Sequence, residues 1–204
     1  AKARTSTPPS ECVTKWTRSA SASAASTFGE TMVQYNATYV GPYRHDGHHL
    51  EYCAGAESNF VVGLGKLGLP NIETSWVSRL GDDEAGDLVL RELSCTTRVY
   101  APKRMGEKTG IFYLNHLDDG RQIRTYHRKS SAATGITFEE VLPHLKNCDL
   151  LHVTGITPAL SDICRETILE TLRYAISVDV PVSFDLNFRS QLWDLCDAKL
   201  VFDE

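Results

Sequence analysis

The chain has 204 residues, of which 42% are hydrophobic and 23% are charged, and this is typical of a water-soluble globular protein with one well-buried core. Its net charge of -5 leaves no basic excess to bind phosphate backbones unspecifically, so nucleic acid is not an expected partner. Because the sequence has no run of 18 apolar residues, a membrane span is excluded on length, and no membrane partner is expected.

Residues 1–27 differ in composition from the rest of the chain. They are rich in Ser, Thr and Ala, and they carry four basic residues against one acidic residue. Since they also lack hydrophobic periodicity, they are predicted to be a disordered leader. The same composition fits an organelle transit peptide, but it has no apolar run of the kind that a secretory signal needs.

From residue 28 onward, strand-like and helix-like patterns alternate. Residues 56–68 repeat apolar side chains at helical spacing, and the acidic start of the next helical segment suits the helix dipole. Asp82 and Asp83 precede that segment and are interpreted as its cap. The elements predicted in this half are a strand over residues 28–36, a helix over 56–68, a strand over 74–80 and a helix over 83–93.

Residues 111–116 and 122–128 are strand-like runs on either side of an Asp-Asp-Gly turn, which is a strong hairpin signal. A capping-box sequence then starts a short helix, and the helix after it has an apolar face that includes Ile163 and Ile176. The elements predicted here are the hairpin, a short helix from residue 137, a strand over 149–154, a helix over 161–178, a buried strand over 182–186 and a helix over 194–204.

Strands separated by helices of this length imply right-handed βαβ units and a parallel sheet, and the hairpin then needs a place outside that sheet. The predicted fold class is therefore α/β, a sandwich with a mainly parallel sheet and a small β lid. The lid strands are expected within about residues 37–54 and 110–128. The ordered domain is expected to cover residues 28–204.

The six cysteines are widely spaced, without a C-x-x-C pair or a Cys/His cluster of the zinc-ligand type. A reduced, cytoplasmic compartment is the simplest interpretation, with three disulfides or import through residues 1–27 as alternatives. The seven histidines form no array that predicts a metal site.

Residues 55–59 (G-A-E-S-N) begin the predicted helix at 56–68. A small-residue turn that leads into a helix brings backbone N–H groups close to a ligand, and Glu57 and Asn59 add side chains suited to binding hydroxyls. The alternative is an ordinary helix start, in which Glu57 only matches the helix dipole.

Tyr126 and Arg128 lie two residues apart on a predicted strand, so their side chains should point to the same face. An aromatic ring beside a guanidinium group suits a ligand that carries a carboxylate. The alternative is an exposed strand face, on which Arg128 and Lys129 are only solvated.

Five sequence blocks, in the same order, resemble the ribokinase-like sugar kinases of the PfkB family, and within it the 2-keto-3-deoxygluconate kinases. The resemblance covers about residues 28–193. It implies a three-layer ribokinase-like sandwich, a sugar-acid substrate, and ATP and Mg²⁺ as cofactors. The blocks are residues 28–33 (F-G-E-T-M-V), 55–59 (G-A-E-S-N), 126–129 (Y-H-R-K), 155–160 (G-I-T-P-A-L) and 185–189 (D-L-N-F-R).

The resemblance also implies residue roles. Arg128 and Arg189 become candidates for the substrate carboxylate, Asn187 and Arg189 for the nucleotide phosphates, and Asp185 for a turn or a water-bridged Mg²⁺ contact. The implied substrate-binding residues are Gly55, Ala56, Asn59, Phe112, Tyr126, Arg128, Ile156 and Arg189. Two departures are evident: Ala54 stands where the family usually has a second glycine, and residues 94–98 are shorter than expected, which puts the second βαβ unit in doubt.

The family takes its anion hole and its catalytic Asp from a G-A-G-D-type block, which these 204 residues do not contain. No catalytic residue is therefore predicted, and the fold is expected to lack its C-terminal part and to be inactive alone. Two alternatives stay open: another sugar kinase of the family, such as a fructokinase or ribokinase, or a non-catalytic sugar-binding module. Exposed lid strands would also allow a homo-oligomer.

Overall fold

The structure is a computed structural model that describes residues 23–203. It contains a five-stranded, a four-stranded and a two-stranded sheet, together with five α-helices. In chain order the elements are β1 (Ser23–Phe28), β2 (Met32–Val40), β3 (His49–Ala54), α1 (Ala56–Lys66), β4 (Ile72–Val77), β5 (Leu80–Gly81), α2 (Glu84–Ser94), β6 (Arg98–Tyr100), β7 (Lys103–Arg104), β8 (Ile111–His116), β9 (Gln122–His127), α3 (Phe138–Leu145), β10 (Leu150–Thr154), α4 (Asp162–Ser177), β11 (Val182–Asp185) and α5 (Leu195–Asp203).

The five-stranded sheet has the order β11-β10-β1-β4-β6, and every pair in it is parallel. Helices cover both faces of this sheet, and successive side chains along each strand point to opposite faces and so pack against different helices. On β4, Trp76 packs into a core with α1 and α2, whereas the next residue, Val77, packs into a second core with α3 and α4. The three-layer arrangement is the one that the sequence predicted.

The helix boundaries follow from their caps. The Asp83 carboxylate accepts a hydrogen bond from the Gly86 N–H at 2.9 Å, so the predicted cap of α2 is confirmed. The predicted capping box at Thr137 is also present at the start of α3. Helix α2 is followed by β6, which pairs in parallel with β4, so the second βαβ unit is intact despite the short segment before β6.

The predicted start of the ordered chain was wrong. Residues 23–28 form β1 at the centre of the large sheet, so the boundary at residue 27 was placed too late, and residues 1–22 lie outside the described part of the chain. The single strand predicted over 28–36 is in fact the end of β1 and the start of β2, in different sheets. Strand β1 was not recognised from the sequence, because its small Ser, Ala and Thr side chains lack the apolar pattern of a strand.

The four-stranded sheet has the order β3-β2-β8-β9 and includes the predicted hairpin as the antiparallel pair β8 and β9. Strand β2 runs parallel to β8 and antiparallel to β3. Met32, Phe112 and Leu114 form a small buried cluster on this sheet. The sheet therefore begins at residue 32, a little earlier than the range expected for the lid strands.

The prediction that β11 is buried was also wrong. Strand β11 is an edge strand that pairs only with β10 among residues 23–203, and Val182 and Phe184 are 36% and 39% exposed. On α4, the predicted apolar residues Ile163 and Ile176 are exposed as well, whereas Ile168 and Leu169 are buried.

Two further observations concern the described residues as a whole. None of their helices combines the length and the apolar character that crossing a bilayer requires. The five cysteines from Cys53 onward are all present as thiols.

Candidate functional site

A cavity of about 620 Å³ lies between the four-stranded sheet, the start of α1 and the carboxyl ends of β10 and β11. Parallel strands of an open α/β sheet commonly place ligands at these ends. The structure brings together in this cavity the nine substrate-binding and nucleotide-binding residues that the family resemblance implies, namely Gly55, Ala56, Asn59, Phe112, Tyr126, Arg128, Ile156, Asn187 and Arg189.

The sequence analysis missed other residues of the cavity wall. Arg124 lies on the same face of β9 as Tyr126 and Arg128, and the period of two along a strand could have identified it. The same alternation applies to Met32 and Gln34 on β2. The remaining additional wall residues are Ala54, Lys129, Gln191 and Leu192.

The Gly55 wall is formed by close backbone packing. Gly55 caps α1 in an extended conformation, and its carbonyl accepts the first helical hydrogen bond from the Asn59 N–H at 2.9 Å. A Cβ atom on Gly55 would lie 2.5 Å from the Glu30 carbonyl oxygen, so only glycine fits here. The preceding Ala54 ends β3 opposite Met32 and packs on the cluster around it, so this departure from the family pattern is accommodated.

The aromatic wall comes from the hairpin. Phe112 and Tyr126 are a cross-strand pair whose ring centroids are 5.1 Å apart. The Arg128 guanidinium carbon lies 5.8 Å from the Tyr126 ring centroid, which is within cation–π range. Tyr126 and Arg128 therefore face the same cavity, as their spacing predicted.

Arg128 is not a solvated surface residue, because its side chain is only 14% exposed. It forms an ion pair with Glu30, whose side chain is 1% exposed. Ser131 donates a hydrogen bond to the other Glu30 oxygen, Oε1, at 2.5 Å. Glu30 lies between β1 and β2, so this pair connects the two large sheets next to the cavity.

Glu57 does not line the cavity and is completely buried behind it. Its Oε1 atom accepts hydrogen bonds from the hydroxyls of Thr154 at 2.7 Å and Thr157 at 2.6 Å, while Oε2 has no hydrogen-bond partner. Burial raises the pKa of this carboxyl group, and the threonine hydroxyls oppose the shift. Glu57 thus holds the turn that carries Ile156 against α1, and the interpretations of Glu57 as a ligand-binding side chain or as only a match to the helix dipole were wrong.

The third wall of the cavity is formed by the segment after β11. The Asn187 backbone has a φ of 38°, and its N–H donates to the Asp185 carboxylate at 3.0 Å, so Asp185 acts as a turn residue here. Arg189 is exposed and lines the cavity. The residues from 23 to 203 contain no group of three His, Cys, Asp or Glu side chains that could hold a metal ion.

The cavity wall is strongly basic in a protein of net negative charge. Four cationic side chains line it, and no Asp or Glu does so among the described residues. Glu30 balances one of these charges from behind the wall. The arrangement favours an anionic ligand with an apolar or ring-like body. The cations are Arg124, Arg128, Lys129 and Arg189.

Comparison with known proteins agrees with this geometry. The pfkB family carbohydrate kinase profile matches residues 23–202. The 2-dehydro-3-deoxygluconokinase of Bacillus subtilis (strain 168) is 33% identical over 174 residues, which cover 83% of this chain and 52% of the relative. The 2-dehydro-3-deoxygalactonokinase of Haloferax volcanii is 33% identical over 180 residues, which cover 85% of this chain and 54% of the relative.

Among solved structures, a PfkB protein from Polaromonas sp. JS666 superposes with a TM-score of 0.80 at 32% identity, covering 89% of this chain and 61% of that one. The predicted ribokinase-like α/β sandwich is therefore confirmed. This chain spans about half the length of the two curated relatives that it matches.

Proposed function

The chain belongs to the pfkB family of carbohydrate kinases, and we propose that it forms the sugar-acid pocket of an ATP-dependent kinase for 2-keto-3-deoxygluconate. The observation that carries this proposal is the cavity with four cationic side chains and no lining acid. Arg124, Lys129 and Arg189 are exposed cations with no acid of residues 23–203 beside them in the cavity wall, and a sugar acid supplies a counter-charge that a neutral sugar does not. The names of the relatives from Bacillus subtilis and Haloferax volcanii support the same substrate class.

The remaining wall residues suit the rest of such a ligand. The Phe112 and Tyr126 rings offer an apolar surface for the carbon chain, and Asn59 at the start of α1 offers an amide for its hydroxyls. Arg128 and Arg189 line the cavity from two different elements, Arg128 at the end of the hairpin and Arg189 in the segment after β11. Together they would fix the carboxylate end of the substrate.

The nucleotide side of the site is proposed on fewer residues. Asn187 and Arg189 follow the carboxyl end of β11, where an amide and a guanidinium group fit phosphate oxygens. ATP would supply the phosphoryl group when bound. Among residues 23–203 no group of three His, Cys, Asp or Glu side chains could hold a metal ion, and we derive no step through Mg²⁺.

No described residue is assigned as the catalytic base, since the sequence lacks a G-A-G-D-type block. We expect the 204-residue chain to bind the substrate and not to phosphorylate it. A coupled assay of ADP release with 2-keto-3-deoxygluconate checks this, and turnover above background would contradict it.

Isothermal titration of the chain with 2-keto-3-deoxygluconate and with its methyl ester tests the pocket itself. The two ligands share a carbon skeleton and differ in charge, so we expect the acid to bind about tenfold more tightly. Arg189→Ala should remove most of this difference. Arg121→Ala is the matched control, because Arg121 is an exposed hairpin cation that pairs with Asp119 outside the cavity.

Equal affinity for the acid and the ester in the wild-type chain would refute the sugar-acid proposal. Tighter binding of fructose or ribose would favour another sugar kinase of the family instead. Equal loss of affinity for the acid and the ester on Arg189→Ala would show that this residue has no role in recognising charge.

We also propose self-association through the four-stranded sheet. Strand β3 is an edge strand, and Leu50 and Tyr52 on it are 47% and 49% exposed. Exposed apolar edge strands pair readily with a second copy. Light scattering should find a dimer that Tyr52→Lys dissociates, and a monomeric wild-type chain would contradict this proposal.

A further inference from the structure

The Glu30 carboxylate lies behind the basic cavity wall, in the segment that joins β1 to β2. Gly110 packs closely against it, since a Cβ atom on Gly110 would lie 2.5 Å from Glu30 Oε1. Oε1 accepts the Ser131 hydroxyl hydrogen bond, and Oε2 faces the Arg128 guanidinium group. The carboxylate is thus fixed by contacts from Gly110, just before β8, and from Arg128 and Ser131, just after β9.

Arg128 is held between Glu30 and the cavity. One of its terminal nitrogens meets Glu30, its guanidinium carbon lies near the Tyr126 ring, and its Nε atom is buried without a hydrogen-bond partner. A buried ion pair gains little net stability over an apolar pair of the same shape. Arg128 both lines the cavity and pairs with Glu30, so its guanidinium group is held where a ligand can meet it.

We propose that Glu30 is a positioning residue that orients Arg128 towards the ligand and sets how strongly the cavity holds an anion. This inference rests on the proposed sugar-acid pocket. Without Glu30, Arg128 would be a full, uncompensated charge in a half-buried site. With Glu30, a ligand carboxylate on Arg128 also meets a second carboxylate across the guanidinium group, and its affinity is reduced.

Glu30→Gln separates the charge of Glu30 from its shape. The amide oxygen can still accept from Arg128, and the amide N–H can donate to Ser131, whose hydroxyl then accepts. The expected result in titration calorimetry is about tenfold tighter binding of 2-keto-3-deoxygluconate, because the ligand carboxylate is no longer repelled by the Glu30 charge across the guanidinium group. Binding of the methyl ester should change less than about twofold.

Two controls identify the path of the effect. Glu51→Gln removes the same charge from an exposed position on β3 outside the cavity and should leave the acid affinity unchanged. In an Arg128→Gln background, Glu30→Gln should no longer tighten binding, because Glu30 acts on the ligand through Arg128. The two substitutions thus form a double-mutant cycle that measures their coupling.

Guanidinium NMR gives a readout that needs no ligand. The Arg128 Nε–H signal, assigned by its loss in Arg128→Gln, should be sharp in the wild-type chain and in Glu30→Gln, and broadened in Glu30→Ala. Three results would each overturn the inference. Glu30→Gln could weaken the binding of acid and ester equally, or it could still tighten acid binding in the Arg128→Gln background. The third is an Arg128 Nε–H signal that Glu30→Ala leaves unchanged. A wild-type chain that does not prefer acid over ester would instead refute the proposed function, and the NMR result would then decide on Glu30 alone.

Discussion

Replacing Glu57 by Ala should destabilise the protein far more than removing an ordinary helix-start carboxylate. The substitution leaves two buried threonine hydroxyls, Thr154 and Thr157, without their acceptor, and each lost partner costs about 1–2 kcal/mol. The cavity left by the side chain adds about 1 kcal/mol or more. The expected loss in the free energy of unfolding is therefore about 3–5 kcal/mol.

Urea unfolding followed by the fluorescence of the buried Trp76 measures this loss. With a slope of about 2 kcal/mol per molar urea, the midpoint should fall by about 1.5–2.5 M. Glu84→Ala is the matched control, since Glu84 is also an acidic first-turn residue but is exposed on α2. If the two variants lost the same stability within about 0.5 kcal/mol, the structural role assigned to Glu57 would be refuted.

Glu57→Gln should be much milder, and its effect should depend on pH. Burial raises the pKa of Glu57 above its ordinary value of 4.5, so the folded protein binds this proton more tightly than the unfolded chain. The stabilising contribution of the group is then fully present below pH 4.5 and is lost as the pH rises through the folded-state pKa. Relative to wild type, Glu57→Gln should gain stability over that range, and a constant difference would contradict the assigned shift.

Other outcomes follow from the same contacts. Gly110→Ala should lower the thermal midpoint of unfolding by several degrees in a calorimetric scan, because its methyl group would lie 2.5 Å from the Glu30 carboxylate. An unchanged midpoint would show that Glu30 can move aside. At pH 8, Cys164 should resist a thiol reagent that labels the exposed Cys196, since burial raises the pKa of Cys164 to about 11. Rapid labelling of Cys164 in the native protein, followed by mass spectrometry of its peptides, would contradict its burial.

Elements with local signals were predictable from the sequence. The caps at Asp83 and Thr137 depend on residues three positions away, so α2 and α3 could be located without knowledge of the fold. The hairpin of β8 and β9 was equally clear from its turn. The meeting of Ile156 with Asn187 and Arg189 was also predictable, because the carboxyl ends of neighbouring parallel strands lie at one edge of a sheet. That the hairpin residues join them was predicted only through the resemblance to the PfkB family.

The features that the sequence did not reveal depend on distant partners. Glu30 and Ser131 are 101 residues apart, and Glu57 and Thr157 are 100 residues apart, so no local pattern connects them. Strand β1 was missed because a central strand flanked by helices can be built from small side chains. The exposure of β11 depends on which elements lie beside it, and a run of apolar residues carries no information about that.

A crystal structure of the chain with 2-keto-3-deoxygluconate tests the central claim most directly. We predict that the ligand lies in the cavity between the hairpin and the end of β11, with its carboxylate within about 3 Å of Arg128 or Arg189 nitrogens. A ligand bound outside this cavity, or one inside it with its carboxylate turned away from both arginines, would contradict the proposed sugar-acid pocket.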